Sequence, residues 1–431
     1  MSKNPGKSVC FYFQVHQPLR LTKFTYFDIG TGKDYFTHSG GKSNQAYLQK
    51  VANKCYYPMN NLLLKLLKKH PELRFSFSIS GIALEQFWEF EPECLKSFQE
   101  LVKTKRVEML SETYYHSLSF LYSKLEFAEQ INLHRKAIWK YFRTRPKIFR
   151  NTELIYNNEI ANFVRKLGFQ GILAEGWDYF LQDRSPNYMY EAPKFKLQEG
   201  DAKVVKNQRF VDKISPKIEV LLKNYRLSDD VAFRFSDKTW KGFPLTAEKY
   251  ADWVAETPGD TINLFMDFET FGEHQWEDTG IFEFFARVPE ELIKRGVTFK
   301  TPSQTIKEYS SRGILDIHQL MSWADMERDL SAWLGNKMQQ EAMRIVFQSE
   351  QQVRDVLDLI NDISAKDMLL HTWRRLQTSD HFYYMSTKYW NDGDIHAYFS
   401  PYDSPYDAYI NFMNIFNDFK FQLTNYVRRK L

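Results

Sequence analysis

Apolar and polar positions alternate along this chain in two periods, and the periods take turns. SVCFYFQVH (8–16) is an apolar run ending in a polar pair and reads as a first strand. LRFSFSISG (73–81) sets Phe75, Phe77 and Ile79 against serines, a period of two, and stops at Gly81. RVEMLSE (106–112), KIFRNTE (147–153), GILAEG (171–176), TINLFMDFE (261–269) and GVTFKTP (296–302) read as further strands. IEVLLKNYRLSDDVAFRFSD (218–237) reads as one or two more. Between them the period lengthens. Residues 44–70, ALEQFWEFEPECLKSFQELVKT, 125–142, 157–170 and TAEKYADWVAE carry helical spacing. In 157–170, Ile160, Val164 and Leu167 share a face, and Gly168 stands where a helix end favours a left-handed residue. Residues 178–215, rich in Pro, Asp, Asn and Lys, read as an irregular excursion.

Strand–helix–strand alternation predicts a parallel α/β arrangement. Seven or eight units suggest a closed or nearly closed barrel, with an open doubly wound sheet as the other solution. GxGxxG and GxxxxGK[ST], which mark nucleotide sites on such sheets, do not occur. From about 305 the strand period disappears, and apolar residues recur every three or four positions. The expectation is two domains: residues 1–305 as the α/β unit, and 306–431 as a helical domain packed on its cleft.

Lys+Arg (58) and Asp+Glu (54) leave a net charge of +4, too mild for a nucleic-acid surface. The basic runs at 63–70 and 101–106 read as solvated helix faces. Phe 36, Tyr 25 and Trp 10 are more aromatic rings than a core alone needs, and ring faces stack on sugars. Cys10, Cys55 and Cys94, odd in number and widely spaced, fit neither a disulfide framework nor a zinc site. Without an apolar leader or an apolar run of about 18 residues, the expectation is a cytoplasmic protein with no membrane partner.

Active sites of α/β barrels open at the C-terminal ends of the strands. Here an acid or a histidine follows most of them: His16, Glu85, Glu112 with His116, Glu153, Glu175, Asp237, and Asp267 with Glu269. Glu153 and Asp267 each end an apolar strand. Either could do a local job, Glu153 as a helix cap and Asp267 as a turn former. Together, two carboxylates on different strand ends can flank one glycosidic bond, one as nucleophile or base and the other as acid. Strand alternation puts Glu269 on the side of Asp267; Glu269, Glu273 and His274 could tune its proton or hold sugar hydroxyls. His16, His116 and His274 are candidates for sugar contacts. No HxH or HExxH spacing points to a metal, so neither a metal nor another cofactor is expected.

Four stretches in order, VHQP (15–18), SETYYHS (111–117), RNTELIY (150–156) and MDFETFGEH (266–274), resemble the successive motifs of glycoside hydrolase family 57. SWADMERDLSAWLGNKMQQ (322–340) and LQTSDHFYYM (376–385) resemble its archaeal-type α-amylase-like branch. The resemblance implies an incomplete (β/α)7 barrel with a C-terminal helical bundle. It implies retaining chemistry on an α-glucan or maltooligosaccharide, with no metal in the catalytic step. Matched by motif, Glu153 would be the nucleophile and Asp267 the acid/base. His16, Glu112 and His116 would lie near the cleaved bond, and Trp323, Asp325 and Trp333 would come from the fifth motif. Better-known branches place an aromatic residue and Pro before the glutamate, where this chain has Arg150, Asn151 and Thr152. One of Trp323 and Trp333 is expected in the core, and Trp276 is the better stacking candidate. Hydrolysis, glucanotransfer and branching stay open, as do two rivals: a metal-dependent deacetylase using His16, His116 and an Asp, and an inactive glucan-binding protein. The oligomeric state stays open too.

Overall fold

The computed structural model describes residues 6–36, 43–208, 213–388 and 400–428. It is an α/β fold with nine strands among the described residues: β1 Ser8–Val15, β2 Phe75–Ile79, β3 Val107–Met109, β4 Ile148–Arg150, β5 Gly171–Glu175, β6 Tyr190–Glu191, β7 Glu219–Lys223, β8 Thr261–Asp267 and β9 Thr298–Phe299. All eight residues of β1 are buried. A strand apolar on both faces belongs in the middle of a covered parallel sheet. β1 accordingly pairs in parallel with β2 (Phe13 opposite Phe77) and with β8 (Phe13 opposite Met266), and β2 pairs with β3. β9 joins β1 at Ser8 and Val9.

A second sheet runs β4-β5-β7 in parallel, with β6 antiparallel on β7. Hydrogen bonds join the two sheets at both edges. Ser111 N–H donates to Ile148 O at 3.0 Å and Arg150 N–H to Ser111 O at 2.8 Å. At the other edge Asn224 N–H donates to Asn263 O at 2.8 Å. Seven parallel strands thus follow one another round a ring, β1-β2-β3-β4-β5-β7-β8 and back to β1.

Side-chain parity sorts each strand. Cys10, Tyr12, Leu110, Ile148, Leu173, Leu221 and Phe265 form one apolar cluster inside the ring. Two residues further along, the same parity gives Gln14, Glu112, Arg150, Glu175, Lys223 and Asp267. The interior is therefore apolar below and ionisable above. Opposite parity points outward: Phe11, Phe13 and Phe77 pack on the helices around β1 and β2, and Phe149, Ile172 and Val220 on those around β4 to β7.

Several expectations need correction. The stretch 218–237 holds one strand, and Tyr225–Ala232 is a helix, capped where the Asn224 side chain accepts from Leu227 N–H. The excursion 178–215 contains helices Asp178–Leu181 and Glu199–Lys206 besides β6; residues 209–212 lie outside the described ones. The helical run after β2 breaks at Glu91–Pro92 into two helices, because proline suits a first helical turn and not an interior. The helix over 44–70 carries a π-turn at Ala52–Tyr56. That bulge presses the chain onto the loop after β8: Cys55 Sγ donates to Phe268 O at 3.1 Å, and a Cβ on Gly272 (φ 105°) would sit 1.9 Å from Lys54 O.

Among the described residues beyond 305, 309–330 are irregular, and the longest helices are Lys337–Gln348, Glu350–Leu359, Ile363–Arg375 and Pro405–Arg428. Buried Trp373 ties three turns together, its indole N–H donating to Val346 O and Ser349 Oγ, both at 3.0 Å. One core cluster includes Phe127, Phe149 and Ile172 from before position 305 and Val346, Trp373 and Phe412 from after it. Arg374 reinforces the seam, its Nε and Nη2 donating to the buried Glu126 carboxylate at 2.8 and 3.0 Å.

Candidate active site

The ionisable layer opens into a cavity of about 610 Å³ whose walls include His16, His116, Glu153, Asp267, Trp323 and Asp380. Its position follows from the fold, since each contributing strand brings its C-terminal end to this rim.

Glu153 is held in a costly conformation. β4 ends at Arg150, and the chain turns tightly through Thr152–Leu154 with Glu153 at φ 56° and Leu154 at φ 50°. Consecutive left-handed residues other than glycine persist only when the surroundings fix them. Here Leu154 is buried inside the ring. Thr152 Oγ1 donates to Ser117 O at 2.9 Å, and Asn151 Nδ2 donates to Ile155 O at 3.0 Å. The local helix-cap role belongs to Asn157, which accepts from Ile160 N–H, and not to Glu153.

His116 bridges two carboxylates. Its Nδ1 lies 3.0 Å from Glu112 Oε2 and its Nε2 2.8 Å from Glu153 Oε1. Burial opposes its charge, but the two carboxylate contacts outweigh burial and push it up to about 9. Burial likewise pushes Glu112 up, and its bond to His116 overrides that and holds it at about 2. Glu153 is balanced the same way. Burial raises it, while His116, then Arg150, then the Trp323 indole hold it below the usual carboxylate range. Trp323 Nε1–H donates to Glu153 Oε2 at 2.7 Å. Glu153 is therefore a fixed anion.

Asp267 has the opposite environment. Burial, and after it the Glu153 charge, push its carboxyl up to about 6, against Arg150, Lys223 and His116. Glu269 behind it is buried and accepts from the Tyr56 hydroxyl. Burial and the Asp267 charge push it up to about 8. The strand has ended by then: Phe268–Thr270 is a 3₁₀ turn, so alternation does not place Glu269. Phe268 seals the far side, 5.3 Å from Phe13 between ring centroids. One ionised carboxylate beside one that keeps its proton up to about pH 6 can attack and can donate a proton.

His16 stacks on His116 with ring centroids 3.9 Å apart. Its Nδ1 meets Ser80 Oγ at 2.8 Å and its Nε2 meets Asp380 Oδ2 at 2.9 Å. Burial pushes His274 down to about 4, so it lines the cavity as a neutral imidazole. Asp325 lines the cavity with Lys388 Nζ 3.2 Å from its Oδ2. Trp333 is 2% exposed and serves both core and cavity wall.

Other expectations move. Trp276 is 55% exposed under Lys54 Nζ and is not among the lining residues. Glu273 faces Lys50 Nζ at 2.6 Å, on the helix side. Asp237 accepts from Thr239 N–H in an exposed turn, and Glu85 is held by Tyr114 and Arg375. Glu175 is buried as partner of Arg328 Nη1 at 2.7 Å.

Four participants went unread. Asp380 lies in the LQTSDHFYYM stretch and anchors His16. Lys223 ends β7, with its Nζ 2.8 Å from Asp229 Oδ1, and Arg328 lies 3.8 Å from that carboxylate's other oxygen. Arg150 ends β4. The signal was available for two of them: a basic residue closing an apolar strand, at the position where other strands carry acids.

A carboxylate held as an anion and a carboxyl pushed up, both lining one cavity, are the two kinds of group that glycoside cleavage uses. Comparison with known proteins agrees. The sequence model of Glycosyl hydrolase family 57 matches residues 10–318. A protein named "Putative alpha-amylase" from Methanocaldococcus jannaschii is 41% identical over 419 residues, 96% of this chain and 84% of that one. The GH57-type branching enzyme of Pyrococcus horikoshii shares the fold at 14% identity, with a TM-score of 0.70 over 99% of this chain and 92% of that one. The 4-alpha-glucanotransferase of Thermococcus litoralis does so at 16% identity, with a TM-score of 0.59 over 88% of this chain and 56% of that one. The chain belongs to glycosyl hydrolase family 57 and is a glycoside hydrolase.

Proposed function

We propose that this enzyme cleaves α-1,4-glucans with retention, through a covalent glycosyl-enzyme. Glu153 attacks the anomeric carbon while Asp267 passes its proton to the departing glycosidic oxygen. The C–O bond to the leaving chain breaks as the Glu153 ester forms. A water, or the hydroxyl of a second glucan, then attacks the anomeric carbon and gives its proton to Asp267. Glu153 leaves as a carboxylate, and both groups are restored. Hydrolysis and transfer differ only in that second nucleophile.

The observation that carries this reading is the opposite setting of the two carboxyls. His116 and Trp323 hold Glu153 ionised, while burial beside that anion keeps Asp267 protonated up to about pH 6. The ring of seven parallel strands supports the finer architecture, an incomplete (β/α)7 barrel over residues 1–305. Residues 306–431 would form the second domain, supplying Trp323 and Asp325 from an irregular segment and Trp333 and Asp380 from helices to the cleft. The names of the relatives, amylase, glucanotransferase and branching enzyme, support an α-glucan or maltooligosaccharide as substrate.

The test is product analysis on maltooligosaccharides and glycogen with wild type, Glu153→Gln and Asp267→Asn. Shortened chains indicate hydrolysis, lengthened chains transfer, and new α-1,6 links branching. Asp267→Asn should lose about 10²–10⁴-fold, the usual size of a general acid–base contribution, and Glu153→Gln at least as much. Undiminished turnover in either folded variant refutes the assignment. Glucan binding without turnover in wild type would favour a binding protein.

A further inference from the structure

Arg150 is fully buried, yet its Nε, Nη1 and Nη2 have no hydrogen-bond partner among the described residues. Buried guanidinium groups are nearly always paired, because an unpartnered charge costs folding energy. The guanidinium carbon lies 5.0 Å from the Trp323 ring centre, within cation–π range. That ring in turn donates its N–H to Glu153.

The position of Arg150 explains what the charge faces. It closes β4 with the parity of Ile148, inside the ring and three residues before Glu153. Tyr12, Glu112, Glu153 and Asp267 all feel its charge. The other charged groups around that pair are His116 at Glu153, and Lys223 and Glu269 at Asp267. Three carboxylates thus crowd one layer, and His116 makes direct contact with only two of them.

We propose that Arg150 is a positioning residue of the reaction assigned above, a counter-charge without a hydrogen-bond partner in the layer of Glu153 and Asp267 that sets their protonation. Its charge favours the ionised form of both carboxyls. In the second chemical step it favours the return of Glu153 from ester to carboxylate. This inference rests on the retaining assignment of Glu153 and Asp267.

Because its charge favours the ionised forms of Glu112, Glu153 and Asp267, its removal costs stability at neutral pH, so the pH dependence of the reaction is what separates it from a structural role. Removing its charge also raises both carboxyls, so both limbs of the kcat/KM–pH profile move to higher pH. The acid limb reports Glu153 and the alkaline limb Asp267. A shift of about one pH unit is the low end for a nearby opposite charge.

The experiment takes pH profiles and melting curves of wild type, Arg150→Met and Arg150→Lys on a maltooligosaccharide. The expected result is a folded Met variant with both limbs displaced upward, and a Lys variant with limbs nearer wild type. A folded Met variant with unmoved limbs overturns the proposal. So does a Met variant that fails to fold, since the arginine would then serve the fold. Loss of turnover in Glu153→Gln and Asp267→Asn alongside either of those results rejects the arginine role alone. Survival of turnover in those two variants rejects the reaction assignment itself.

Discussion

His116→Asn tests the electrostatic core of the site. Asparagine tolerates the left-handed backbone at this position (φ 51°), so the substitution removes the bridge without adding strain. In wild type the imidazolium joins Glu112 at 3.0 Å and Glu153 at 2.8 Å, and Glu112 is wholly buried. Without it, Glu112 keeps the Gln14 amide at 3.2 Å and the Arg150 charge nearby. Breaking a buried pair from one side costs about 3–5 kcal/mol, because the other charge is left uncompensated. The same substitution withdraws the charge that holds Glu153 down, which should lift the acid limb of kcat/KM by about 1–3 pH units. Urea unfolding at neutral pH reads the first effect, and a pH–rate profile reads the second. A second substitution separates the causes. Glu112→Gln added to His116→Asn removes the stranded carboxylate and should restore roughly half of the lost stability. A single variant within about 1 kcal/mol of wild type would refute the reasoning. A double variant no more stable than the single would refute it as well.

Stability should also follow pH from the same contact seen from both sides. Glu112 is depressed from an ordinary 4.5 to about 2, so its contribution is complete above pH 4.5 and fades as pH falls through 2. His116 is raised from 6.5 to about 9, so its contribution is complete below pH 6.5 and fades as pH rises through 9. Melting temperatures across that range should peak between pH 4.5 and 6.5; a monotonic rise toward pH 9 would contradict the pairing. Trp323→Phe removes the indole donor to Glu153 and should lower kcat/KM roughly tenfold to a hundredfold, the worth of a hydrogen bond to a charged group. Trp276→Ala should stay within about twofold on short maltooligosaccharides, as surface substitutions do; a larger loss would put that ring in the substrate path.

The fold was legible wherever one period dominated. β1, rich in apolar residues on both faces, is buried throughout, whereas β2 was legible from the alternation of Phe75, Phe77 and Ile79 with serines although its serines are buried too. The helix at 225–232 was not legible as such, because DDVAFRF also alternates and Asn224, its cap, sits directly on the end of a strand. Glu153 and Asp267 were readable because each follows an apolar strand, as the general rule for barrel sites demands. Trp276 was misplaced by the same rule, since loop position says nothing about which way a loop folds. Here Gly272 packs against the π-turn at Ala52–Tyr56 and Trp276 lies under Lys54. Arg150 and Lys223 were passed over because a search for acids and histidines ignores cations. Only the parity inside the ring shows that these end β4 and β7 in the layer of Asp267. Asp380 comes from far along the chain, and no local pattern could tie it to His16.

The central claim is tested most directly by trapping the intermediate. Asp267→Asn incubated with a fluorinated maltosyl fluoride should form the glycosyl-enzyme, because fluoride leaves without an acid, and should release it slowly for want of a base. Peptide mass spectrometry should find one maltosyl adduct, on the carboxylate of Glu153, and none in Glu153→Gln. An adduct on any other carboxylate, or release of the inverted anomer with no adduct formed, would contradict the account.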